Sequence, residues 1–175
     1  MRAKRVAFYT PLTPLSFPKP SGDRTLARNL VKALERNGHQ VRVMSEFRGR
    51  QFWLRPKRWR QILFAFLATY RATKRFRPEA WLTFVSDPYV PDLFGPIFSS
   101  RLGIPYVIYQ VLFRGDYQGI RLKEGRVRHL WTALPGYLLN LYALTSADHV
   151  IADKSGDHEL RRWGERLSGF LEVRR

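Results

Sequence analysis

The segment from Val6 to Val43 constrains the fold more than any other part of the chain. It begins with a short apolar run, Val6-Ala7-Phe8-Tyr9, which is typical of a strand buried on both faces. A loop with four prolines follows, and then an amphipathic helix is predicted from Ser21-Gly22-Asp23 to Asn37-Gly38. Val41-Arg42-Val43-Met44 predicts the next strand. This order of strand, helix and strand predicts a crossover unit of a parallel sheet.

The remainder of the chain continues to alternate strands with helices. The predicted strands are Trp81–Val85, Ile104–Tyr109 and His149–Ala152, and the predicted helices are Pro91–Arg101, a helix from about Arg126 to Leu144 that is interrupted near Pro135-Gly136, and Asp157–Leu167. A long polar loop is expected from Gln110 to Gly125. We therefore expect an α/β fold: a Rossmann-like, doubly wound, mostly parallel sheet with helices on both faces, in one domain over residues 1–175.

The charge of the chain is strongly unbalanced. The 31 Lys and Arg residues outnumber 14 Asp and Glu residues, which gives a formal net charge of +17. Ten of the cationic residues lie between Arg48 and Arg77, a segment with no acid. Such an excess implies an anionic partner: nucleic acid, an acidic membrane surface or a phosphorylated substrate. Because the chain has no cysteine, disulfides, thiolate-bound zinc and thiol nucleophiles are excluded.

The helix predicted within this cationic segment carries large apolar side chains at helical spacing. We expect this row to pack on the sheet and the cationic side chains to face solvent. The row consists of Trp59, Ile62, Leu63, Phe66, Leu67 and Tyr70.

Tryptophan and cationic side chains are mixed at the start of that helix. Such a mixture suits the headgroup boundary of an anionic bilayer, where the rings lie at the interface and the cations meet phosphate. The same side chains could stack on bases and follow a phosphate backbone. We predict a membrane-binding site, with nucleic acid as the less favoured partner, made of Trp53, Arg55, Lys57, Arg58, Trp59 and Arg60.

The longest uncharged stretch runs from Leu130 to Ala147. It contains Pro135, Gly136, Asn140 and other polar residues, whereas a transmembrane helix needs ~20 mostly apolar residues. We expect a buried helix here. The N-terminal residues lead into a single strand and do not resemble a signal peptide, which favours a cytoplasmic protein.

Ligands of parallel sheets bind beyond the carboxyl ends of the strands. There, Ser21, Gly22 and Asp23 begin a helix whose free N–H groups can hold phosphate, although Gly22 could equally serve tight packing of helix on strand. Asp87 precedes a proline and could simply form a turn. The other candidates for contacts with a substrate are Ser86, Tyr109, Gln110, Arg114, Lys154 and Ser155. The four histidines show no metal-binding spacing, so no metal site is predicted.

Five short pieces, which span nearly the whole chain, carry a resemblance through their order and spacing. They are Pro18-Lys-Pro-Ser-Gly-Asp23, Leu26-Ala-Arg-Asn-Leu30, Asn37-Gly-His-Gln-Val41, Leu102-Gly-Ile-Pro-Tyr-Val107 and Ser146-Ala-Asp-His-Val-Ile151. Together they resemble the N-terminal half of a GT-B glycosyltransferase of the large retaining family known as group 1, or family 4. The resemblance implies a domain that mainly holds the acceptor, with Ser21-Gly22 near the donor diphosphate and the reacting sugar.

The resemblance also implies the partners. They are a nucleotide-sugar donor used as substrate without an obligatory metal, a lipid-linked or envelope polysaccharide acceptor, and the inner face of the membrane, where the protein would be peripheral. The donor-binding C-terminal domain is expected to be absent from these 175 residues, or to come from a second subunit, so this chain alone should bind without turnover. Where many members carry a histidine, this chain reads Tyr109-Gln-Val-Leu-Phe-Arg114, so no catalytic residue is carried over. The alternative function is that of a basic nucleic-acid-binding α/β domain.

Overall fold

The structure, a computed structural model, describes residues 3–19, 21–111 and 127–151. Five strands are present in this part of the chain: β1 (Arg5–Tyr9), β2 (Gln40–Ser45), β3 (Ala80–Ser86), β4 (Tyr106–Val111) and β5 (His149–Ile151). The helices are α1 (Gly22–Arg36), α2 (Lys57–Phe76), α3 (Phe94–Leu102) and α4 (Val127–Ser146), and a short 3₁₀ helix, Phe52–Leu54, precedes α2. The final predicted helix, Asp157–Leu167, lies outside the described residues.

The five strands form one sheet in the order β2-β1-β3-β4-β5, and every neighbouring pair is parallel. This confirms the predicted α/β fold, a Rossmann-like doubly wound sheet. The chain leaves β1 toward β2 on one side and returns to add β3 on the other. The carboxyl ends of β1 and β3 therefore form the topological switch point, where such sheets leave a crevice.

Two apolar layers cover the two faces of this sheet. On one face, Ala27, Leu30 and Leu34 of α1 pack against alternate residues of the strands, among them Val6, Phe8, Leu82 and Val107. On the other face, α2, α3 and α4 lie over the intervening residues, among them Ala7, Tyr9, Trp81, Tyr106 and Ile108. Burying one leucine such as Leu30 contributes about 1.5–3 kcal/mol, so these two layers hold the domain together.

Helix α1 begins and ends where the sequence predicts. Ser21 has extended backbone angles, and its hydroxyl accepts a hydrogen bond from the Arg24 N–H at 3.2 Å, as an N-cap residue does. At the other end the chain passes through Asn37 to Gly38, which has a φ of 85°, a left-handed conformation that glycine adopts without strain.

The predicted packing of the apolar row on α2 is wrong for three of its six residues. Phe66 and Tyr70 pack in the core layer, but Trp59, Leu63 and Leu67 are exposed. The row that faces the sheet is built instead from small and aromatic side chains: Ala65, Phe66, Thr69, Ala72, Thr73 and Phe76. Small side chains fit between α2 and the sheet because α2 lies close to β2. The Thr69 hydroxyl even donates a hydrogen bond to the Met44 carbonyl oxygen of β2, at 3.3 Å.

Two expectations for α4 are also wrong. The helix is continuous from Val127 to Ser146 with Pro135 inside it, rather than interrupted there. It is also not a buried helix, because Gly136, Asn140 and Ala143 are buried while much of the opposite side faces solvent. Pro135 lies beyond the first four residues of the helix, so its missing N–H removes one hydrogen bond within the helix. The helix nevertheless continues past it to Ser146.

Helix α4 approaches the 3₁₀ helix through Gly136. A Cβ atom at this position would overlap the Pro88 carbonyl oxygen and the Trp53 ring. Trp53 in turn lies edge-on to Phe52, with 5.4 Å between ring centroids. The glycine thus allows α4, the 3₁₀ helix and the loop after β3 to meet at one point.

We expect Gly136→Ala to lower the free energy of unfolding by about 1–3 kcal/mol, because the added methyl group overlaps backbone and a packed ring. The matched control is Gly22→Ala, where a Cβ atom meets no atom of the described residues within 4 Å. This control should change the free energy of unfolding by less than about 1 kcal/mol, and any change should be an increase, because alanine favours a helix more than glycine does. Urea unfolding measures both, and equal effects would contradict the packing of Trp53 on Gly136.

Candidate site at the carboxyl edge of the sheet

The loop after β1 is held against α1 by two arginines. The Arg24 guanidinium donates to the Phe17 carbonyl oxygen, and the Arg28 guanidinium donates to the Leu15 carbonyl oxygen at 2.7 Å. Both donors lie in the first two turns of α1. The proline-rich loop and the start of α1 therefore form one unit at the carboxyl edge of the sheet.

The loop after β2 joins this unit to the loop after β3. Gly49 N–H donates to the Pro11 carbonyl oxygen at 3.0 Å, and Gln51 N–H donates to the Tyr89 carbonyl oxygen at 2.9 Å. The loops pass closely at Gly49, where a Cβ atom would lie 3.3 Å from the Pro91 carbonyl oxygen. Main-chain hydrogen bonds thus connect three loops across the switch point.

An open pocket of about 370 Å³ lies between these loops. Its polar side chains include one acid and one cation, Asp87 and Arg50, beside the phenol of Tyr89. Such a set can accept hydrogen bonds from hydroxyl groups and pair with a single negative charge. The pocket is lined by Leu12, Arg50, Gln51, Asp87, Tyr89 and Val90.

Asp87 was predicted either to contact a substrate or simply to form a turn, and it does form the turn. Its carboxylate accepts a hydrogen bond from Tyr89 N–H at 2.6 Å, and its carbonyl oxygen accepts one from Val90 N–H at 2.7 Å. The side chain is half-buried and still lines the pocket, so the turn does not prevent contact with a ligand.

The end of β3 contains an unusual backbone conformation. Val85 has a φ of 64°, in the left-handed region that branched residues rarely adopt, and such strain costs about 1–3 kcal/mol. Phe84 and Val85 consequently lie in the same core layer, against α1, instead of on opposite faces. The next residue, Ser86, is thereby placed on the face covered by α3 and α4.

Ser86 is fully buried, and its hydroxyl is used within the protein. It donates to the Asn140 side-chain oxygen of α4 at 2.7 Å and accepts from Asp92 N–H at 3.3 Å. Ser86, which was predicted to contact the acceptor, is therefore used to hold α4 against the end of β3.

A buried carboxylate organises the same corner of the molecule. Asp92 accepts hydrogen bonds from Phe94 N–H at 2.8 Å and Gly95 N–H at 2.9 Å, which caps α3, and from the Tyr106 hydroxyl at 2.7 Å. The Thr83 hydroxyl is a further donor to it. Burial raises the pKa of Asp92 and outweighs these hydrogen bonds, which lower it.

The sequence contained a signal for this residue that our prediction missed. An aspartate just before a run of apolar helical residues commonly caps the helix, because its carboxylate accepts from the first free N–H groups, as Asp92 does from Phe94 and Gly95. We placed the start of α3 at Pro91, so Asp92 was counted as part of the helix rather than as its cap. The partners of Asp92 on β3 and β4, by contrast, are distant in the sequence, and no local pattern indicates them.

We expect the stability advantage of the wild type over Asp92→Asn to depend on pH. Because the folded-state pKa of Asp92 is raised, its contribution is fully present below the ordinary value of 3.8 and is lost as the pH rises through the folded-state value. The difference in unfolding free energy should therefore fall as the pH rises from about 4. Urea unfolding of both proteins over a pH series measures this, and a difference that is independent of pH would contradict it.

The predicted phosphate loop is open. Gly22 is exposed and has no left-handed backbone angle, and no atom of the described residues lies within 4 Å of a Cβ atom built on it, while Ser21 and Asp23 are half-buried. The alternative that Gly22 serves tight packing is therefore wrong. Ser21, Gly22 and Asp23 do not line the pocket between the three loops, so the predicted phosphate loop and the pocket are separate parts of the carboxyl edge.

The remaining acceptor-side candidates divide into two groups. Tyr109 is buried in the core layer against α1 and stacks on Phe84 with 5.7 Å between ring centroids, so it is not accessible to a ligand. Gln110 belongs to β4. Arg114, Lys154 and Ser155 lie outside the described residues, and their predicted roles stay predictions.

The predicted membrane-binding residues also divide. Trp53 packs on Gly136, and the Arg58 guanidinium donates to the Arg48 and Arg50 carbonyl oxygens at 3.3 and 3.4 Å. Burial lowers the pKa of Arg58, and repulsion from Arg55 and Arg48 lowers it further. These two side chains support the loop after β2. The exposed members are Arg55, Lys57, Trp59 and Arg60.

Over the part of the chain that the structure describes, no group of three or more His, Asp or Glu side chains could hold a metal ion. Over the same residues, no helix combines the length and the hydrophobicity that a membrane crossing requires. Comparison with known protein families and with curated proteins found no match to this chain.

Proposed function

We propose that this chain is the acceptor-side half of a retaining glycosyltransferase. It would act at the membrane surface, where a sugar passes from a nucleotide-sugar donor to a lipid-linked or envelope polysaccharide acceptor. A companion domain or subunit supplies most of the donor site. The observation that carries the proposal is the exposed glycine at the start of α1, on the open carboxyl edge of a Rossmann-like sheet.

The helix start supplies the electrostatic part of the proposed chemistry. The first N–H groups of α1 have no partner within the helix, and the helix dipole adds a partial positive charge at this end. Since Gly22 has no side chain, a diphosphate can approach the backbone closely. Stabilising the negative charge on the departing diphosphate and positioning the two substrates then account for catalysis, without a step that requires a metal.

The pocket between the three loops is the proposed place for the acceptor. Asp87 offers carboxylate oxygens to sugar hydroxyl groups, and Tyr89 offers an aromatic ring with a hydroxyl. Arg50 can pair with the phosphate of a lipid-linked saccharide. The pocket and the start of α1 lie on the same edge of the sheet, so a donor held at one can face an acceptor held at the other.

We expect Gly22→Leu to weaken binding of a nucleoside diphosphate sugar about tenfold or more, because the side chain blocks the approach to the helix N–H groups. The matched control, Thr25→Leu, adds a similar side chain at an exposed position one turn along the same helix and should leave binding unchanged. Amide chemical shifts of residues 21–24, followed during titration with uridine and guanosine diphosphate sugars, report the binding. Equal effects of the two variants, or no shifts in wild type, would contradict a diphosphate site at the start of α1.

The alternative function, binding of nucleic acid, is favoured by the exposed mixture of Trp59 with Arg55, Lys57 and Arg60. It predicts tight association with duplex or single strands that weakens steeply as salt is raised. A gel shift run beside vesicle cosedimentation at the same salt separates the two functions. Tight binding of DNA without binding of vesicles would favour the alternative.

A further inference from the structure

The two helical layers of the molecule differ in the side chains that they show to solvent. Helix α1, all of whose residues are described, exposes no large apolar side chain. Among the side chains that the structure describes, the layer of α2, α3 and α4 exposes eleven: Trp59, Leu63, Phe64, Leu67, Ile97, Leu102, Leu134, Tyr137, Leu138, Leu141 and Tyr142. Single exposed apolar side chains are normal on protein surfaces, but a concentration of them on one side marks an interaction surface.

Helix α4 supplies the most apolar part of this surface. From Leu134 to Ser146 it has no charged side chain, and Leu138 on its outer side is 55% exposed. Two tyrosines, Tyr137 and Tyr142, flank the exposed leucines, and each carries a hydroxyl that can stay in contact with water. An outer helix face without charges is unusual for a surface that only water covers.

Helix α2 supplies the cationic part. Its exposed Leu63, Phe64 and Leu67 lie among cationic side chains that are exposed as well. Those cations are Lys57, Arg60, Arg71, Lys74 and Arg75. No acid lies anywhere on α2, so this flank is positively charged throughout.

The three helices form one continuous layer. Phe66 of α2 lies 4.7 Å from Phe94 of α3 between ring centroids, and the Arg101 guanidinium of α3 lies 5.7 Å from the Tyr70 ring of α2. The contact of Gly136 with Trp53 joins α4 to the 3₁₀ helix just before α2. The apolar face of α4 and the cationic flank of α2 therefore belong to the same side of the molecule.

This combination matches an anionic bilayer. Uncharged leucine and tyrosine side chains suit the boundary between headgroups and acyl chains, and cations beside them meet lipid phosphates. Helices α2 and α4 each have 20 residues, about 30 Å, which is long enough to lie in the plane of the interface. The layer covers one face of the sheet, whereas the candidate site lies at the carboxyl edge of the sheet. Contact of the layer with lipid therefore leaves the candidate site open.

We propose that the outer surface of the α2–α3–α4 layer lies flat on an anionic lipid bilayer, with α4 reaching the acyl boundary and α2 meeting the headgroups. This inference deepens the membrane-surface part of the proposed function and rests on it, but not on sugar transfer. It replaces the predicted cluster at the start of α2 as the main contact surface. Trp53 packs on α4 and Arg58 holds the loop after β2, whereas the exposed Trp59 belongs to the contact surface.

The test is cosedimentation of the full chain with vesicles of phosphatidylcholine alone and with about one-third phosphatidylglycerol. The wild-type protein should bind the anionic vesicles, and added salt should weaken this binding. Leu138→Glu with Leu141→Glu should lower binding about tenfold or more, because it places two acids on the apolar face. The matched control, Asn29→Glu with Lys32→Gln on the outer side of α1, changes the net charge equally and should bind as wild type does.

A second measurement, tryptophan fluorescence, tests whether Trp59 or Trp53 contacts the bilayer. Vesicles with brominated acyl chains quench tryptophan emission only where a ring enters the bilayer. Trp59 is exposed on the proposed contact surface, whereas Trp53 packs on Gly136. Replacing Trp59 by Phe should therefore lower the quenching more than replacing Trp53 by Phe does, with the other three tryptophans of the chain present in both variants. If the variant on α4 does not fold, as circular dichroism will show, Leu63→Gln with Leu67→Gln on α2 takes its place.

Several results would overturn the inference. One is equal loss of binding in the variants on α4 and α1, which would mean attraction by net charge alone. Another is unchanged binding in the variant on α4. A third is a dimer that this variant dissociates together with no binding of wild type to vesicles, which would make a second copy the occupant. Because the vesicles carry no sugar donor or acceptor, Gly22→Leu should bind them normally, and failure of the transferase proposal would not affect the outcome.

Discussion

The buried hydrogen bonds of Asp92 and Ser86 hold together the half of the molecule on which both proposals depend. Asp92 connects the cap of α3 to a tyrosine at the start of β4, and Ser86 connects β3 to Asn140 on α4. A carboxylate without solvent must be surrounded by donors, because an unpaired buried charge would cost several kcal/mol. The donors around Asp92 fix the start of α3 against β3 and β4, and the bond between Ser86 and Asn140 fixes α4 against the end of β3.

The strained residue Val85 is part of the same arrangement. Its left-handed backbone moves Ser86 from the face covered by α1 to the face covered by α3 and α4. Such strain persists only where the surrounding structure compensates for it, and it is concentrated near functional sites. Here it lies two residues before Asp87, close to the end of β3 and the pocket. The strand end is thus shaped jointly by the core and by the loop that lines the candidate site.

Sequence and structure agree best where the controlling interactions are local. The cap at Ser21, the stop at Gly38 and the strand β1 depend on residues within a few positions, and all were predicted within one residue. The packing face of α2 was misjudged because we followed the large apolar residues, whereas the sheet accepts small ones such as Thr69. The helix start at Gly22 was predicted, but the sequence left open whether that glycine is exposed or serves tight packing, and the separate pocket depends on loops that meet only in the folded protein.

The amino-acid sequence by itself determined the class of the fold and the positions of most of its helices and strands, since periodicity and caps act over short distances. It also determined the cationic character of α2 and the absence of charged residues from α4 after His129. Only the tertiary structure decided which of these side chains face water. That choice depends on how closely each helix approaches the sheet and which helices share a face, and these distances are set by contacts between residues far apart in the chain.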